Sequence, residues 1–311
     1  MKISIIGAAG SVGAPVAFHI AASGLAETIV MIDVRANFAK QHAMDISTAV
    51  SALNVSVRAG EYEDLAGSDI VINAAGAPQG LIADRMEMLQ VNIPLVREIA
   101  LQVKRYCPAA VVITATNPVD PLNYATWRVG GFDPRRIIGY TINDSLRFRE
   151  LVARAKGVCV SQVEATVIGE HGSSQVLLFS SVRIDGRTVS FTDDEKQNIR
   201  AEIPNILKRY EELKTGRTAG WTTAIGMASM TRAILGNTGC IFPCSVMVDG
   251  EYGQKDLSLS VPVSLGRDGV QTILEWNLAP DEQDGLWRCV GVLKNAARIV
   301  GESLAQAGVK A

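Results

Sequence analysis

The chain lacks features that several classes of protein require. Its 311 residues include 30 basic and 32 acidic residues, so the formal net charge of −2 offers no basic excess to a nucleic-acid partner. The five cysteines are scattered without a Cys-x-x-Cys pair, and there are only three histidines. We therefore expect no disulfide scaffold, zinc finger or other metal site, and the cysteine pattern favours a reducing compartment, the cytoplasm.

A long, unbroken apolar run is also missing. Residues 3–26 carry no Asp, Glu, Lys or Arg, which is the outline of a targeting segment or a membrane span. Glycines and Pro15 interrupt this stretch, and the apolar run at residues 3–6 has the length of a strand and ends in a glycine cluster. We therefore expect no membrane partner.

The first half of the chain alternates between apolar strands and helical patterns. Strands are predicted at 3–6, 28–33, 55–58, 69–74 and 111–114, and helices at 12–22, 38–50 and 86–106, the last interrupted near Pro94. Strand, helix and strand at this spacing predict βαβ units and a parallel sheet. Because the apolar strands other than 55–58 show no alternation, both faces of the sheet should be covered.

The second half changes character. Strands are predicted at 163–168 and 175–179, a hairpin at 182–190 around Asp185-Gly186, helices at 193–214, 219–235 and 281–305, and antiparallel strands at 241–248 and 257–263. A mixed α+β half after a βαβ half predicts an α/β protein with two domains. We place them at residues 1–144 and 145–311.

A glycine cluster over residues 7–13, spaced G-x-x-G-x-x-G, directly follows the first strand and opens the first helix. Glycines there let the backbone approach a pyrophosphate at the positive end of the helix. The second strand ends in Asp33, about twenty residues further on, where a carboxylate binds the ribose hydroxyls and disfavours a 2′-phosphate. The alternative is a glycine-rich turn followed by a surface acid.

Two further segments carry acid–base chemistry. Asp144 and Arg147 are three residues apart and share a helical face, either as part of a site or as a surface ion pair. His171 stands between two glycines, which indicates exposure at a turn. His19 is expected to be packed and His42 solvated, so His171 is the candidate general acid or base.

Two loops follow the carboxyl ends of predicted strands. Residues 76–85 have glycines that would allow a lid to close, and Arg85 could act as a catalytic cation or as a surface charge at a helix start. Thr116-Asn117-Pro118 follows another strand. Asn117 could bind a ligand or cap the next helix.

Taken together and in this order, these segments resemble the lactate/malate dehydrogenase family. The shared segments run through nearly the whole chain: GAAGSVG, the acid of VMID, AGAPQ followed by DR, TNPVD, NDSLRFR and IGEHGSS. The resemblance implies a Rossmann-type, doubly wound NAD-binding domain followed by a mixed α+β substrate domain. It also implies NAD as cofactor and hydride transfer between NAD and a small L-2-hydroxy acid or 2-oxo acid.

The resemblance assigns a role to each candidate residue. His171 exchanges the hydroxyl proton, Asp144 orients its ring, and Arg147 binds the substrate carboxylate. Arg85 polarises the reacting C–O bond, and Asn117, in a cis bond to Pro118, holds the same oxygen region. The implied cofactor-binding residues are Gly7, Gly10, Ser11, Val12, Gly13, Asp33, Ala75, Gly76, Asn92, Thr116 and Asn117.

Two departures from the family pattern concern the substrate. Malate-specific members usually have an arginine where Gln79 stands, and that arginine pairs with the second carboxylate of the substrate. Gln79 therefore favours a neutral, lactate-like side chain, whereas the glycine spacing and Pro78 look malate-type. Trp221 occupies the place of a smaller residue that borders the variable group of the substrate.

Three alternatives remain besides the lactate-like one. Malate dehydrogenase is the runner-up. Tyr210-x-x-x-Lys214 fits the catalytic pair of short-chain dehydrogenases, although the glycine spacing does not. A non-catalytic NAD-binding sensor is a third alternative, but it would usually have lost part of the acid–base set. By resemblance, a homodimer or homotetramer is expected, through helices near 37–50, 146–157 and 219–235.

Overall fold

Short apolar segments in the first part of the chain form six parallel strands of one sheet. The computed structural model describes residues 1–77, 85–215 and 218–308, and only the backbone of residues 85–87, 207 and 211. The strands are β1 (Lys2–Ile6), β2 (Thr28–Ile32), β3 (Ser56–Ala59), β4 (Ile70–Asn73), β5 (Val111–Thr114) and β6 (Ile137–Tyr140). All but β3 are buried along nearly their whole length, as predicted for a parallel sheet covered on both faces.

Four helices lie between these strands: α1 (Gly13–Ala22), α2 (Ala36–Ala49), α3 (Arg85–Tyr106) and α4 (Val119–Gly130). The spatial order is β3-β2-β1-β4-β5-β6, which is the order of a doubly wound sheet. The order reverses between β1 and β4, and open α/β sheets bind ligands beyond the carboxyl ends of strands at such a reversal. The predicted α/β fold class is confirmed.

The second half of the chain extends the same sheet. Its elements are α5 (Ile142–Lys156), β7 (Val163–Glu164), β8 (Val167–Ile168), β9 (Val176–Leu177), β10 (Arg183–Ile184), β11 (Arg187–Thr188), α6 (Asp193–Glu212), α7 (Gly220–Gly236), β12 (Ile241–Asp249), β13 (Lys255–Gly266), β14 (Gly269–Ile273) and α8 (Pro280–Gln306). β12 pairs antiparallel with β6, and β13 and β14 follow it outward, so within the described residues one sheet of nine strands runs through both halves.

Most predicted elements form where the residue pattern placed them. The β10–β11 hairpin turns at Asp185 and Gly186, both with positive φ, as the Asp-Gly signal indicates. The predicted strand at 163–168 is instead two short strands, β7 and β8, that pair with different partners. The residue pattern predicted no strand at the positions of β6 and β14. Both are short segments that contain or begin with a glycine, which weakens the strand signal.

Helix α3 runs without a break through Pro94, where the sequence predicted an interruption. Leu89, Ile93, Val96 and Val103, on both sides of the proline, are all buried in the same apolar core. Their packing keeps the helix continuous although the proline removes a backbone hydrogen bond. The prediction was wrong because tertiary packing outweighed the local break.

Among the residues that the structure describes, no helix is both long enough and apolar enough to cross a bilayer. The first part of the stretch at 3–26 forms β1 and the ten-residue helix α1.

Candidate active site

The first turn of α5 brings together the acid and base residues selected from the sequence. Asp144 Oδ2 lies 2.6 Å from His171 Nδ1, and Asp144 Oδ1 accepts a hydrogen bond of 3.1 Å from Arg147 Nη1. Only 7% of the Asp144 side chain and 13% of the Arg147 side chain are exposed, so a surface ion pair is the wrong interpretation. The Asp144 carboxylate bridges an imidazole and a guanidinium.

His171 is less exposed than predicted. Only 14% of its side chain is accessible, because the turn that carries it folds back between α5 and the sheet. Gly169 exchanges two hydrogen bonds with Ser260 of β13, from Gly169 N to the Ser260 carbonyl at 2.8 Å and from Ser260 N to the Gly169 carbonyl at 3.1 Å. This bridge ties the 169–173 turn to the central sheet.

Gly169 permits that close approach. It has a φ of +91°, and a Cβ built on it would lie 3.0 Å from the Cys289 sulfur of α8. Burial raises the pKa of the Cys289 thiol, so this group stays neutral beside the turn. A larger residue at position 169 would push the His171 turn away from α8.

Asp120 belongs to the site and was not selected from the sequence. It lies in the first turn of α4, is 1% exposed, and its Oδ2 accepts the His171 backbone N–H at 2.7 Å. Burial raises the pKa of Asp120 to about 6, against the opposing effects of the Ser245 hydroxyl and the His171 ring. The signal that could have identified it is a carboxylate inside the apolar start of a helix, directly after Asn117-Pro118.

A buried hydrogen-bond chain joins α5 to α7. The Tyr140 hydroxyl donates to Asn143 Oδ1 at 2.8 Å, and Asn143 Nδ2 donates to Thr223 Oγ1 at 2.9 Å. Thr223 Oγ1 in turn donates to the Ala219 carbonyl at 2.8 Å. The residue before Asp144 therefore holds the start of α7 in place.

Trp221 lies in that first turn of α7 and is 70% exposed. It lines a surface groove together with the glycine loop and two helices, at Ala9, Gly10, Ser11, Ala14, Pro15, Phe18, Arg35, Phe38, His42, Asp45 and Ile46. The structure thus places Trp221 beside the loop after β1. Its role at the substrate stays a prediction.

The glycine loop after β1 leaves no room for side chains. A Cβ on Gly7 would lie 2.5 Å from the Ala75 nitrogen, and one on Gly13 would lie 2.3 Å from the Gly7 carbonyl oxygen. Gly7 also has a φ of +79°. Helix α1 begins after Ser11 and Val12, and no side chain in the described part of the chain caps its first turn. The backbone N–H groups of this turn are therefore suited to an anion.

Asp33 follows β2 at the same edge of the sheet. Its largely buried carboxylate accepts hydrogen bonds from Ala9 N and Arg35 N, each at 2.9 Å. The Arg35 side chain lies 3.5 Å from it and is half exposed. These contacts orient the acid beside the glycine loop, where the carboxylate of a ribose site is expected.

Asn92 of α3 connects the two loops that follow β4 and β5. Its Oδ1 accepts from Ala77 N at 2.8 Å, and its Nδ2 donates to the Asn117 carbonyl at 2.9 Å. Thr116 Oγ1 donates to the Ala75 carbonyl at 2.7 Å, so both loops are joined twice. Ala75 and Gly76 therefore lie against Thr116 and Asn117, as predicted for one wall of a cofactor site.

The peptide bond from Asn117 to Pro118 is cis, which confirms that expectation. Asn117 is exposed although its neighbours are buried, and the helix that follows has no side-chain cap within the described chain. The turn-capping alternative for Asn117 is therefore wrong.

Two candidate residues are not placed. Gln79, with most of the 76–85 loop, lies outside the described residues, and Arg85 is described only as the backbone start of α3. Their roles stay predictions.

These features fit the dinucleotide NAD. A cradle that a Cβ would fill, an uncapped helix N-terminus and an oriented acid lie along the edge where the strand order reverses. Gly7, Gly10, Ser11, Val12 and Gly13 would hold the pyrophosphate, and Asp33 the adenosine ribose. The wall made by Ala75, Gly76, Asn92, Thr116 and Asn117 would lie further along.

Two family models cover almost the whole chain. Residues 1–139 match the NAD-binding domain of lactate/malate dehydrogenase, and residues 141–302 match the α/β C-terminal domain of the same family. The chain belongs to the lactate/malate dehydrogenase family. This result confirms the resemblance seen in the sequence, together with NAD as the cofactor and oxidoreduction as the reaction class.

Malate dehydrogenases and lactate dehydrogenases both resemble the chain. A malate dehydrogenase of Natronomonas pharaonis is 37% identical, with 91% of this chain and 94% of the relative aligned. An L-lactate dehydrogenase of Thermus aquaticus is 35% identical, with 97% of this chain and 100% of the relative aligned. The crystal structure of Cryptosporidium parvum lactate dehydrogenase, complexed with lactic acid and β-nicotinamide adenine dinucleotide, superimposes with a TM-score of 0.91 and 30% identity, covering 96% of this chain and 98% of that one.

Membership of the lactate/malate dehydrogenase family excludes the short-chain dehydrogenase alternative. The structure agrees, because Tyr210 lies near the end of α6 while Lys214 lies beyond it with a φ of +51°. The two residues therefore do not share the helical turn that a Tyr-x-x-x-Lys pair needs. The division between the two family models falls near residue 140, and the domain boundary at 144 stays a prediction.

Proposed function

We propose that this member of the lactate/malate dehydrogenase family transfers a hydride between NAD(H) and a small L-2-hydroxy acid or 2-oxo acid. One observation carries the proposal, namely the buried Asp144 carboxylate between His171 Nδ1 and the Arg147 guanidinium. Such an arrangement places an oriented base and a fixed cation on either side of one carboxylate. It also argues against a non-catalytic sensor, in which this set would have no purpose.

The chemistry follows from the atoms that these residues present. Asp144 fixes the Nδ1 proton of His171, so Nε2 takes the hydroxyl proton during oxidation and returns it during reduction. The carboxylate also stabilises the imidazolium. Arg147 binds the substrate carboxylate with its planar guanidinium, which a lysine could not match in geometry. When bound, NAD supplies or accepts the hydride.

Two further residues complete the proposal. Arg85, at the start of α3, would polarise the C–O bond as charge develops on the oxygen. Asn117, exposed after β5, would hold the same oxygen region. The presence of all these residue types in one chain supports an active enzyme.

Gln79 decides the substrate class that we propose. A neutral amide cannot neutralise a second carboxylate, and an unpaired charge removed from water costs several kcal/mol. We therefore propose a monocarboxylic 2-oxo acid as the preferred substrate. Oxaloacetate is the second candidate, since several of the most similar relatives are malate dehydrogenases.

The experiment is an assay of NADH oxidation with a panel of mono- and dicarboxylic 2-oxo acids. Wild type should prefer a monocarboxylic acid. Gln79→Arg should raise kcat/KM for oxaloacetate and lower it for pyruvate, changing the ratio by on the order of 10–100-fold.

Gln306→Arg at the exposed end of α8 serves as the matched control, because it adds the same charge elsewhere. If wild type already reduces oxaloacetate far better than every monocarboxylic acid, the charge argument fails and the malate alternative replaces it. If no 2-oxo acid is reduced, the proposed function itself is wrong.

We further propose a homodimer or homotetramer. Phe38 and Met44 of α2 and Trp221 and Ile225 of α7 are large apolar side chains exposed on helices that the resemblance places in an interface, and the exposed Phe18 of α1 lines the same groove as Phe38 and Trp221. Phe38→Asp should lower the mass measured by light scattering. We also propose a cytoplasmic location, which suits five free thiols.

A further inference from the structure

A buried carboxylate with no assigned role lies behind His171. Asp120 Oδ2 accepts the His171 backbone N–H at 2.7 Å. Its Oδ1 is buried and makes no hydrogen bond of normal geometry among the described residues, although the nearby Ser245 hydroxyl favours the charged form of the acid. A half-satisfied carboxylate in the interior is costly, so its presence needs an explanation beyond packing.

The buried polar side chains that lie beside Asp120 on α4, β12 and β13 form a neutral layer. Asn123 Nδ2, one turn further along α4, donates to the Ser245 carbonyl at 3.1 Å and to Ser258 Oγ at 3.0 Å, and the two serine hydroxyls are 2.9 Å apart. An asparagine at position 120 would suit this layer without a charge. The acid therefore points to a partner on its other side, and that partner is the turn that carries His171.

The ionisable groups around this contact come from three helices and the turn itself. Asp144 and Arg147 of α5 face the His171 ring, Glu170 of the turn acts on Asp120, and Asp120 in turn contributes to the raised pKa of Cys289 of α8. Within this set, the His171 ring favours the charged form of Asp120 and Glu170 opposes it. By reciprocity, a charged Asp120 must favour the protonated imidazole.

We propose that Asp120 is a positioning residue for His171: its carboxylate anchors the backbone of the 169–173 turn and places a second negative charge against the imidazole. The catalytic part of this inference rests on the function proposed above. Asp144 orients the His171 ring by contacting its Nδ1, and Asp120 positions the same residue by accepting its backbone N–H. The two acids together keep the ring protonated to higher pH than one acid would.

The first test follows the His171 ring directly and needs no activity. With only three histidines in the chain, carbon-13-labelled imidazole signals are few, and His171→Gln identifies the one that matters. Asp120→Asn keeps an acceptor for the backbone N–H and removes the charge. It should lower the His171 pKa by on the order of one unit. Asn123→Ala removes a neighbouring buried polar group of the same helix and should leave that pKa unchanged.

The second test is kinetic. In Asp120→Asn, the pH at which 2-oxo acid reduction falls to half should move to lower values, together with a lower kcat and an unchanged Kd for NADH. In Asn123→Ala, any loss of rate should come without a shift of the pH profile. A merely structural Asp120 would give the same pattern as Asn123.

An unchanged or raised His171 pKa in Asp120→Asn overturns the inference, whatever the assay shows. If Asp120→Asn does not fold, the coupling is measured from the other side: His171→Gln removes the imidazole charge and should raise the pKa of the Asp120 carboxyl, followed by its carbon-13 signal, and an unchanged Asp120 pKa rejects the proposal. A shifted pKa without any dehydrogenase activity would support the contact and contradict the proposed function instead.

Discussion

The nucleotide side of the site is made of backbone, whereas the catalytic side is made of buried charged side chains. Around Gly7 and Gly13 the chain approaches itself so closely that a methyl group would clash. Around Asp144 and His171 the backbone is ordinary helix and turn. The Asp144 carboxylate contacts both the His171 ring and the Arg147 guanidinium, and these contacts fix the side chains. The first side is therefore sensitive to size and the second to charge.

The largest effect should come from removing the base. His171→Gln should lower kcat by about 10²–10⁴ while NADH still binds, because the nucleotide side does not use this imidazole. His19→Gln, in the half-buried part of α1, should leave both quantities close to those of wild type. A mutant that kept wild-type kcat across about pH 6–9 would contradict the assignment of His171.

Cofactor choice tests the carboxylate on the nucleotide side. Asp33 is oriented by Ala9 and Arg35, and its carboxylate would repel a 2′-phosphate. Wild type should therefore show a kcat/KM for NADH that exceeds that for NADPH by about tenfold or more. A clear preference for NADPH would reject the role of Asp33.

Sensitivity to size is tested by Gly13→Ala. The added Cβ would lie 2.3 Å from the Gly7 carbonyl oxygen, so the loop must move. We expect weaker NADH binding and a loss of about 1–3 kcal/mol in the free energy of unfolding.

Gly291→Ala is the matched control, since this α8 glycine has open space around it within the described chain. It should be neutral or slightly stabilising. Equal behaviour of the two variants would mean that the glycine loop is not tightly packed.

Sensitivity to charge on the catalytic side is tested by the stability of Asp120→Asn. Because burial raises the pKa of Asp120 from 3.8 to about 6, the folded state favours the neutral acid. The stability that the neutral form confers is present below about pH 4 and lost as the pH rises through about 6.

Asp120→Asn should therefore be more stable than wild type at pH 7.5, by about 1–3 kcal/mol, and the difference should vanish toward pH 4. Thermal unfolding of both proteins at the two pH values measures it. A variant that is less stable than wild type at both pH values would show that the charge is not costly.

The contrast between the nucleotide side and the catalytic side also explains which site residues could be predicted from the sequence. The glycine loop and Asp33 could be predicted because their signal is local: a short spacing after an apolar strand. His171 and Asp144 are 27 residues apart, and their contact could be expected only from the family resemblance. Asp120 was not selected, since a carboxylate inside the apolar start of a helix is its only sequence signal and no spacing rule describes its contact with a backbone N–H.

The elements show a similar division. Buried parallel strands such as β4 and β5 were predicted because continuous apolar runs mark them. The junction between β6 and β12 was not, because pairing between distant segments leaves no local pattern. Pro94 shows the opposite error, where a strong local signal was overruled by the core on both sides of the helix.

The junction of β6 with β12 also limits how this molecule can open. Three residue pairs join these strands, from Cys244 and Tyr140 to Val246 and Ile138, in the interior of the nine-stranded sheet. A hinge between the two halves would have to break these main-chain bonds. We therefore expect substrate entry and release to depend on the loops and helix ends around the site rather than on a hinge between the two halves.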